Sequence, residues 1–172
     1  GLLGMQYVPK EFGRPLDPRL SKKAVRLARA KDQWKVTTLP YGSEEERTHE
    51  ADWLILTPPV PQSLALLDES GIELDYDEEV ELKRIQYLRC LTVMAVLNGP
   101  AGIANPGAMD LNHDILRWIG DNTVKGVSPV PGSVTIHSSP KFAKAYWDKP
   151  EEERIAVMCA AAKPFLKGEV TE

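Results

Sequence analysis

Two short stretches gather the residue types best suited to binding and orienting a small ligand. They are Trp118-Ile119-Gly120-Asp121-Asn122 with Lys125, and Thr135-Ile136-His137-Ser138-Ser139. An amide, an imidazole and hydroxyls at strand ends discriminate between ligands through directional hydrogen bonds. Each also has a structural reading. Asn122 can shape a turn, His137 can be a satisfied half-buried imidazole, and Ser138 and Ser139 can cap the next helix. The acidic group Asp75, Asp77, Glu78 and Glu79 could hold a cation or exchange protons, but a helix start, where the dipole favours acidic side chains, accounts for it better. In His113-Asp114 a polarised imidazole requires neighbours that face each other, and adjacent residues point apart as often as together.

The missing motifs narrow the chemistry. No G-x-G-x-x-G, P-loop, H-E-x-x-H, C-x-x-C or G-x-S-x-G occurs, which excludes a self-contained dinucleotide enzyme. The histidines His49, His113 and His137 include no pair at helical ligand spacing, so no metal site is expected. A formal net charge of -4 disfavours a nucleic-acid partner. The basic run Lys22, Lys23, Arg26 and Arg29 has no interleaved aromatic for base stacking and reads as a solvated strand face. No apolar run approaches the roughly 20 residues of a membrane span. Cys90 and Cys159 sit in apolar sequence, as two buried thiols in a reducing compartment would, which makes the cytoplasm the expected location. No signal peptide opens the chain, and the start at Gly1 reads as an internal cut or a tag scar.

Elements must position these groups. With 172 residues, 42% hydrophobic and 27% charged, one ordinary core with a small lobe beside it is expected. A short helix fits residues 8–12. Period-two alternation across Val25, Leu27, Trp34, Val36 and Thr38 predicts a hairpin turning at residues 30–33, and three glutamates at 44–46 mark an exposed loop. The run Trp53-Leu54-Ile55-Leu56-Thr57 is read as a buried strand beginning near Ala51 and ending in a proline-rich turn beside a ligand. Short helices are predicted at 63–67, ended by Gly71, and at 77–85. Residues 90–97 predict a central strand covered on both faces, residues 98–112 a long loop, 115–120 a short apolar segment and 133–138 another strand. Ser139 and Pro150 open the last two helices. The second carries the stripe Ile155, Met158, Cys159, Ala162 and Leu166 toward a sheet, and Pro164 ends its regular part. The fold class is α+β: a mixed, mostly antiparallel sheet from strands near Val25, Trp34, Trp53, Cys90 and Val134, with helices on one face.

Several segments, in order, are similar to consecutive parts of the renalase-like branch of the FAD-dependent amine oxidase superfamily. They are Gly4-Met5 with Leu16-Asp17-Pro18-Arg19-Leu20, the hairpin, and Asp52-Trp53 through Pro61-Gln62, which matches (A)D-x-(V/L)-(I/V)-L-(A/T)-x-P-x-P-Q. Then come Tyr87 through Met94, Leu116 through Lys125, which resembles W-I-x-x-N-x-x-K, and Val134 through Phe142, which resembles V-x-H-x-S-x-x-(F/W)-(S/A). Residues 6–15 depart from the pattern, with extra proline and glycine where relatives have a regular helix.

The resemblance implies the middle of a larger enzyme, whose FAD-binding G-x-G-x-x-G lies before this chain and whose second flavin-contacting segment lies after it. It implies that residues 1–60 adjoin that flavin domain, with 51–57 in a shared sheet, and that 61–172 form a substrate-binding lobe. In the family, flavin accepts a hydride from a small reduced molecule, a dihydronicotinamide or an amine, and the protein supplies orientation. Trp118 then becomes a pocket wall, Asn122 and His137 substrate hydrogen bonders, and Pro59, Pro61 and Gln62 the turn approaching the cofactor. No catalytic residue is assigned. Removed from its flavin domain, such a lobe should be inactive and self-associate through an exposed apolar face. A stand-alone α+β module for a small ligand or a protein partner, without redox activity, fits the missing motifs equally well.

Overall fold

The computed structural model describes residues 6–171, so Gly1 and the Gly4-Met5 pair lie outside the described residues. Along the chain run α1 (Tyr7–Gly13), β1 (Lys22–Ala30), β2 (Gln33–Pro40), β3 (Arg47–Ala51), α2 (Val60–Glu69), α3 (Tyr76–Lys83) and β4 (Thr92–Val96). They continue with β5 (Ala108–Asp110), β6 (Leu116–Asp121), β7 (Ser133–Ser138), α4 (Pro140–Tyr146) and α5 (Glu151–Ala162). The class is α+β. The helices and strands fall into two units, Asp17–Tyr87 and Gly1–Leu16 with Leu88–Glu172.

In the Asp17–Tyr87 unit, β1, β2 and β3 form an antiparallel sheet in that order. The predicted hairpin turns at Lys31-Asp32, with Lys31 in the left-handed region at φ 56°. A bulge between Ala24 and Arg26 precedes Leu27, whose side chain is buried and whose N–H donates to the Ser70 hydroxyl at 2.8 Å. Ser70 caps α2 and its hydroxyl donates to the Leu66 carbonyl at 2.6 Å, so one side chain ties α2 to β1. Gly71 follows at φ +67°, the left-handed geometry that ends the helix as expected. Asp75 caps α3 by accepting from the Asp77 N–H, so the acidic group has its helix-start role.

One expectation is corrected here. The apolar run 53–57 belongs to no strand and pairs with none among the described residues; β3 ends at Ala51, and Trp53 and Ile55 are 87% and 84% exposed. Apolar, β-prone residues lower the cost of an extended backbone, but a strand needs a partner ladder. The chain divides after Leu16 and after Tyr87, and α2 packs on β1.

The second unit contains an antiparallel sheet in the order β4-β7-β6-β5. Among the described residues the strands therefore lie in two antiparallel sheets. On one face Val93, Ala95, Ile119, Val134 and Ile136 meet Phe142 of α4 and Met158 and Ala162 of α5. The predicted helical stripe is buried at its middle, while Ile155 stays 41% exposed and Leu166 lies beyond a 3-10 turn containing Pro164. Ser139 caps α4 by accepting from the Phe142 N–H, as predicted. Tyr146 stacks on Phe142 with ring centroids 4.2 Å apart.

The opposite face of this sheet is open, contrary to the expectation that β4 is covered on both sides: Met94 is 81% exposed. β4 alternates because α4 and α5 occupy only one side. Part of the predicted 98–112 loop is the short strand β5, paired with β6.

Cys90 is also exposed rather than buried, since it precedes β4, whereas Cys159 on α5 is half-buried and burial raises its thiol pKa. Because the thiolate is the nucleophile, iodoacetamide near neutral pH should label Cys90 well before Cys159. Peptide mass spectrometry over a time course checks this, and equal rates would contradict the placement.

Candidate functional site

Residues opposite each other in an antiparallel ladder share a face. His137 stands opposite Thr92 and Trp118, and Thr135 opposite Met94 and Gly120. Trp118, His137, Thr135 and Met94 therefore meet on the open face of the second sheet. The Trp118 and His137 rings lie 5.0 Å apart at 35°, and the Lys125 ammonium sits 4.7 Å over the Trp118 ring. The Asn122 carboxamide nitrogen donates to the Thr135 hydroxyl at 2.9 Å. Trp118, Asn122 and His137, far apart in sequence, thus come together.

Local structure explains how. Buried Asp121 accepts the N–H groups of Thr123 and Val124, turning the chain after β6. The Asn122 backbone donates to the Ser133 carbonyl, and its own carbonyl accepts from Val127 and Ser128. Asn122 therefore shapes the turn with its backbone and leaves its side chain on the open face. Gly120 lets the indole lie flat: a Cβ there would fall 2.1 Å from the Trp118 ring. The roles of Gly120 and Met94 were not read from the sequence; the period-two exposure of Thr92 and Met94 against Val93 and Ala95 is the signal that carried Met94.

The imidazole of His137 makes no protein hydrogen bond among the described residues, so its ring nitrogens are free for a ligand. Burial, and then the nearby Lys125 charge, hold its pKa below the ordinary 6.5. At neutral pH the ring is uncharged. As pH falls below 6.5 the unfolded chain takes up the proton first, so this residue's contribution makes the fold lose stability down to the lowered folded pKa. NMR titration of His137 should show a midpoint below 6.5 that moves up in Lys125→Gln, and Gly120→Ala, which pushes the indole away, should also shift it. A midpoint unmoved by both changes would contradict the arrangement.

The remaining candidates have structural roles. Ser138 accepts the Leu91 N–H at 2.9 Å. His113 Nδ1 accepts from the Ile115 and Leu116 N–H groups, and Asp114 pairs with Lys141 at 2.8 Å, which lowers its carboxyl pKa. Among the described residues no group of three or more His, Cys, Asp or Glu could hold a metal ion. A cavity of about 690 Å³ between α2 and α3, lined in part by Leu64, Leu67, Tyr76 and Lys83, includes none of the predicted site residues.

Pro59, Pro61 and Gln62 form the exposed start of α2. The Val60 N–H donates to the Tyr87 hydroxyl, the Gln62 and Ser63 N–H groups go to the Pro59 carbonyl, and Pro61 has none. A dinucleotide cradle needs free backbone donors, and this turn has spent its own. Only the Gln62 carboxamide remains to offer FAD, so these residues do not by themselves fit the cofactor.

A scan of protein-family models and a search of curated proteins give no match to this chain. Among solved structures the chain is similar to a double mutant of putrescine oxidase redesigned in its cofactor binding, with a TM-score of 0.68 and 19% identity. The likeness covers 95% of this chain and 35% of that one, so the chain spans about a third of the length of the oxidase it matches. The chain has the fold of that part of putrescine oxidase.

Proposed function

We propose that this chain is the substrate-side portion of an FAD-dependent oxidoreductase of the amine oxidase superfamily, renalase-like in its substrate. The open face carrying Trp118, Asn122 and His137 supports this reading most directly. A flat ring can lie against the indole, with the uncharged imidazole and the Asn122 carboxamide oxygen or nitrogen bonding its polar edge. The Lys125 ammonium over Trp118 disfavours a cationic amine at that spot, so a dihydronicotinamide is the preferred substrate class. Flavin would supply the redox chemistry; the residues that hold it lie on a partner domain, and this chain binds and orients substrate.

The test is anaerobic mixing of the purified product of the full gene with a dihydronicotinamide. Bleaching of a bound flavin's visible absorbance is the expected result, with an amine reducing it more slowly. A product without flavin leaves the binding module as the account of the open face, and a flavin reduced faster by amines reverses the substrate assignment.

A further inference from the structure

The sheet of the Asp17–Tyr87 unit carries charged side chains on both faces. Thr38 stands opposite Arg47, Val36 opposite His49, and Lys22 opposite Pro40, so Lys22, Thr38, Arg47 and His49 share one side. The other side carries Lys35 paired with Glu50 at 3.0 Å and Arg26 paired with Glu46 at 2.7 Å. On the His49 side one ion pair forms among the described residues. Arg47 meets Glu45 at 3.4 Å, both exposed, and Arg19 and Lys22 have no carboxylate within ion-pair distance among the described residues.

The backbone brings Arg19 to that side. Asp17 and Ser21, both non-glycine, flank it in the left-handed region at φ 47° and 56°, and the Tyr41 N–H fixes the Ser21 carbonyl at 2.9 Å. Such conformations persist where the surrounding structure enforces them, and they cluster at ligand clamps. The Arg19 guanidinium donates to His49 Nδ1, which makes Nε2 the protonated nitrogen that donates to the Thr38 hydroxyl at 3.1 Å; that hydroxyl donates to the Arg47 carbonyl at 3.2 Å. The imidazole is held in one tautomer beside three cations.

The geometry points to an anion site built by Arg19, Lys22, Arg47 and His49, whose ligand is the phosphate or pyrophosphate group of a small molecule. Two guanidinium forks match phosphate oxygens, and the lysine adds a point charge. A dianion balances the unpaired Arg19 and Lys22, and a carboxylate offers fewer oxygens to these two and to Arg47, whose ion pair with Glu45 is exposed. The same cations, after desolvation, hold the His49 pKa below its ordinary value in the free protein. Bound phosphate reverses that effect, and the imidazole gains a proton to donate. This site is separate from the flavin reading and stands or falls without it.

The test uses the full chain and inorganic pyrophosphate, with sodium chloride at equal ionic strength as reference, followed by NMR of the His49 ring. Pyrophosphate should cause a saturable shift and raise the His49 pKa. Arg19→Gln should weaken binding by about tenfold, and Lys35→Gln on the opposite face should leave it unchanged. Should Arg19→Gln disturb the amide spectrum, Lys22→Gln serves in its place with the same expected loss. An equal response to chloride, an equal loss in Lys35→Gln, or no response to millimolar pyrophosphate would overturn the site.

Discussion

Ile136→Ala lowers the stability of the second unit by about 2–5 kcal/mol, the range for truncating a fully buried aliphatic side chain. Ile136 is fully buried in β7, opposite Val93 on β4 and Ile119 on β6, within the cluster that Met158 and Ala162 complete. The close packing of α5 on this face limits collapse around the missing atoms, so both the lost transfer energy and the cavity count. Met94→Ala, on the open face of the same sheet, should stay within about 0.5 kcal/mol. Urea unfolding followed at the β4 and β7 amides measures both, with the midpoint moving and the slope unchanged. Equal losses at the two positions would mean that the open face is covered.

In the longer flavoprotein proposed as the parent, His137→Ala and Asn122→Ala each lower kcat/KM by about tenfold to a hundredfold. That is the effect of losing one hydrogen bond to a substrate group in a partly dry site, about 1–3 kcal/mol. The His137 ring has no protein partner to compensate for its removal among the described residues, so its loss should fall on substrate binding and orientation. Asn122→Ala keeps the backbone bonds to Ser133, Val127 and Ser128 that hold the turn, and it deletes only the carboxamide on the Thr135 hydroxyl. Steady-state kinetics with unaltered flavin spectra separate a site defect from a folding defect. Unchanged kinetics in both variants would remove the pair from the site.

Local signals gave reliable element positions where the chemistry is local. The Ser139 cap, the acidic start of α3, the Lys31-Asp32 turn, Gly71 after α2 and strand β7 occur where their residue types require them. Signals that depend on partners misled. The run 53–57 has strand composition, yet among the described residues neither sheet pairs with it, and β4 looks central by composition although the described residues cover only one of its faces. Hydrophobicity reports a tendency to be buried; it does not report which segment provides the cover.

The candidate site was legible as residue types, and its assembly was not. Nothing in the spacing of Trp118, Asn122 and His137 requires them to meet, and the pairing of β6 with β7 brings them together. Nor does sequence show that Gly120 makes room for the indole, that Asn122 turns the chain with its backbone, or that Arg19 returns across 30 residues to His49. The α+β class, the turns, the stripe of α5 and the residue types available for binding were readable from the amino acids, because each rests on a period or a local backbone preference. Long-range pairing set the two antiparallel sheets of the described residues, the open face of the second and the side chains that share it. Strand register is a long-range choice, and a shift of one residue would turn every one of those side chains to the other face.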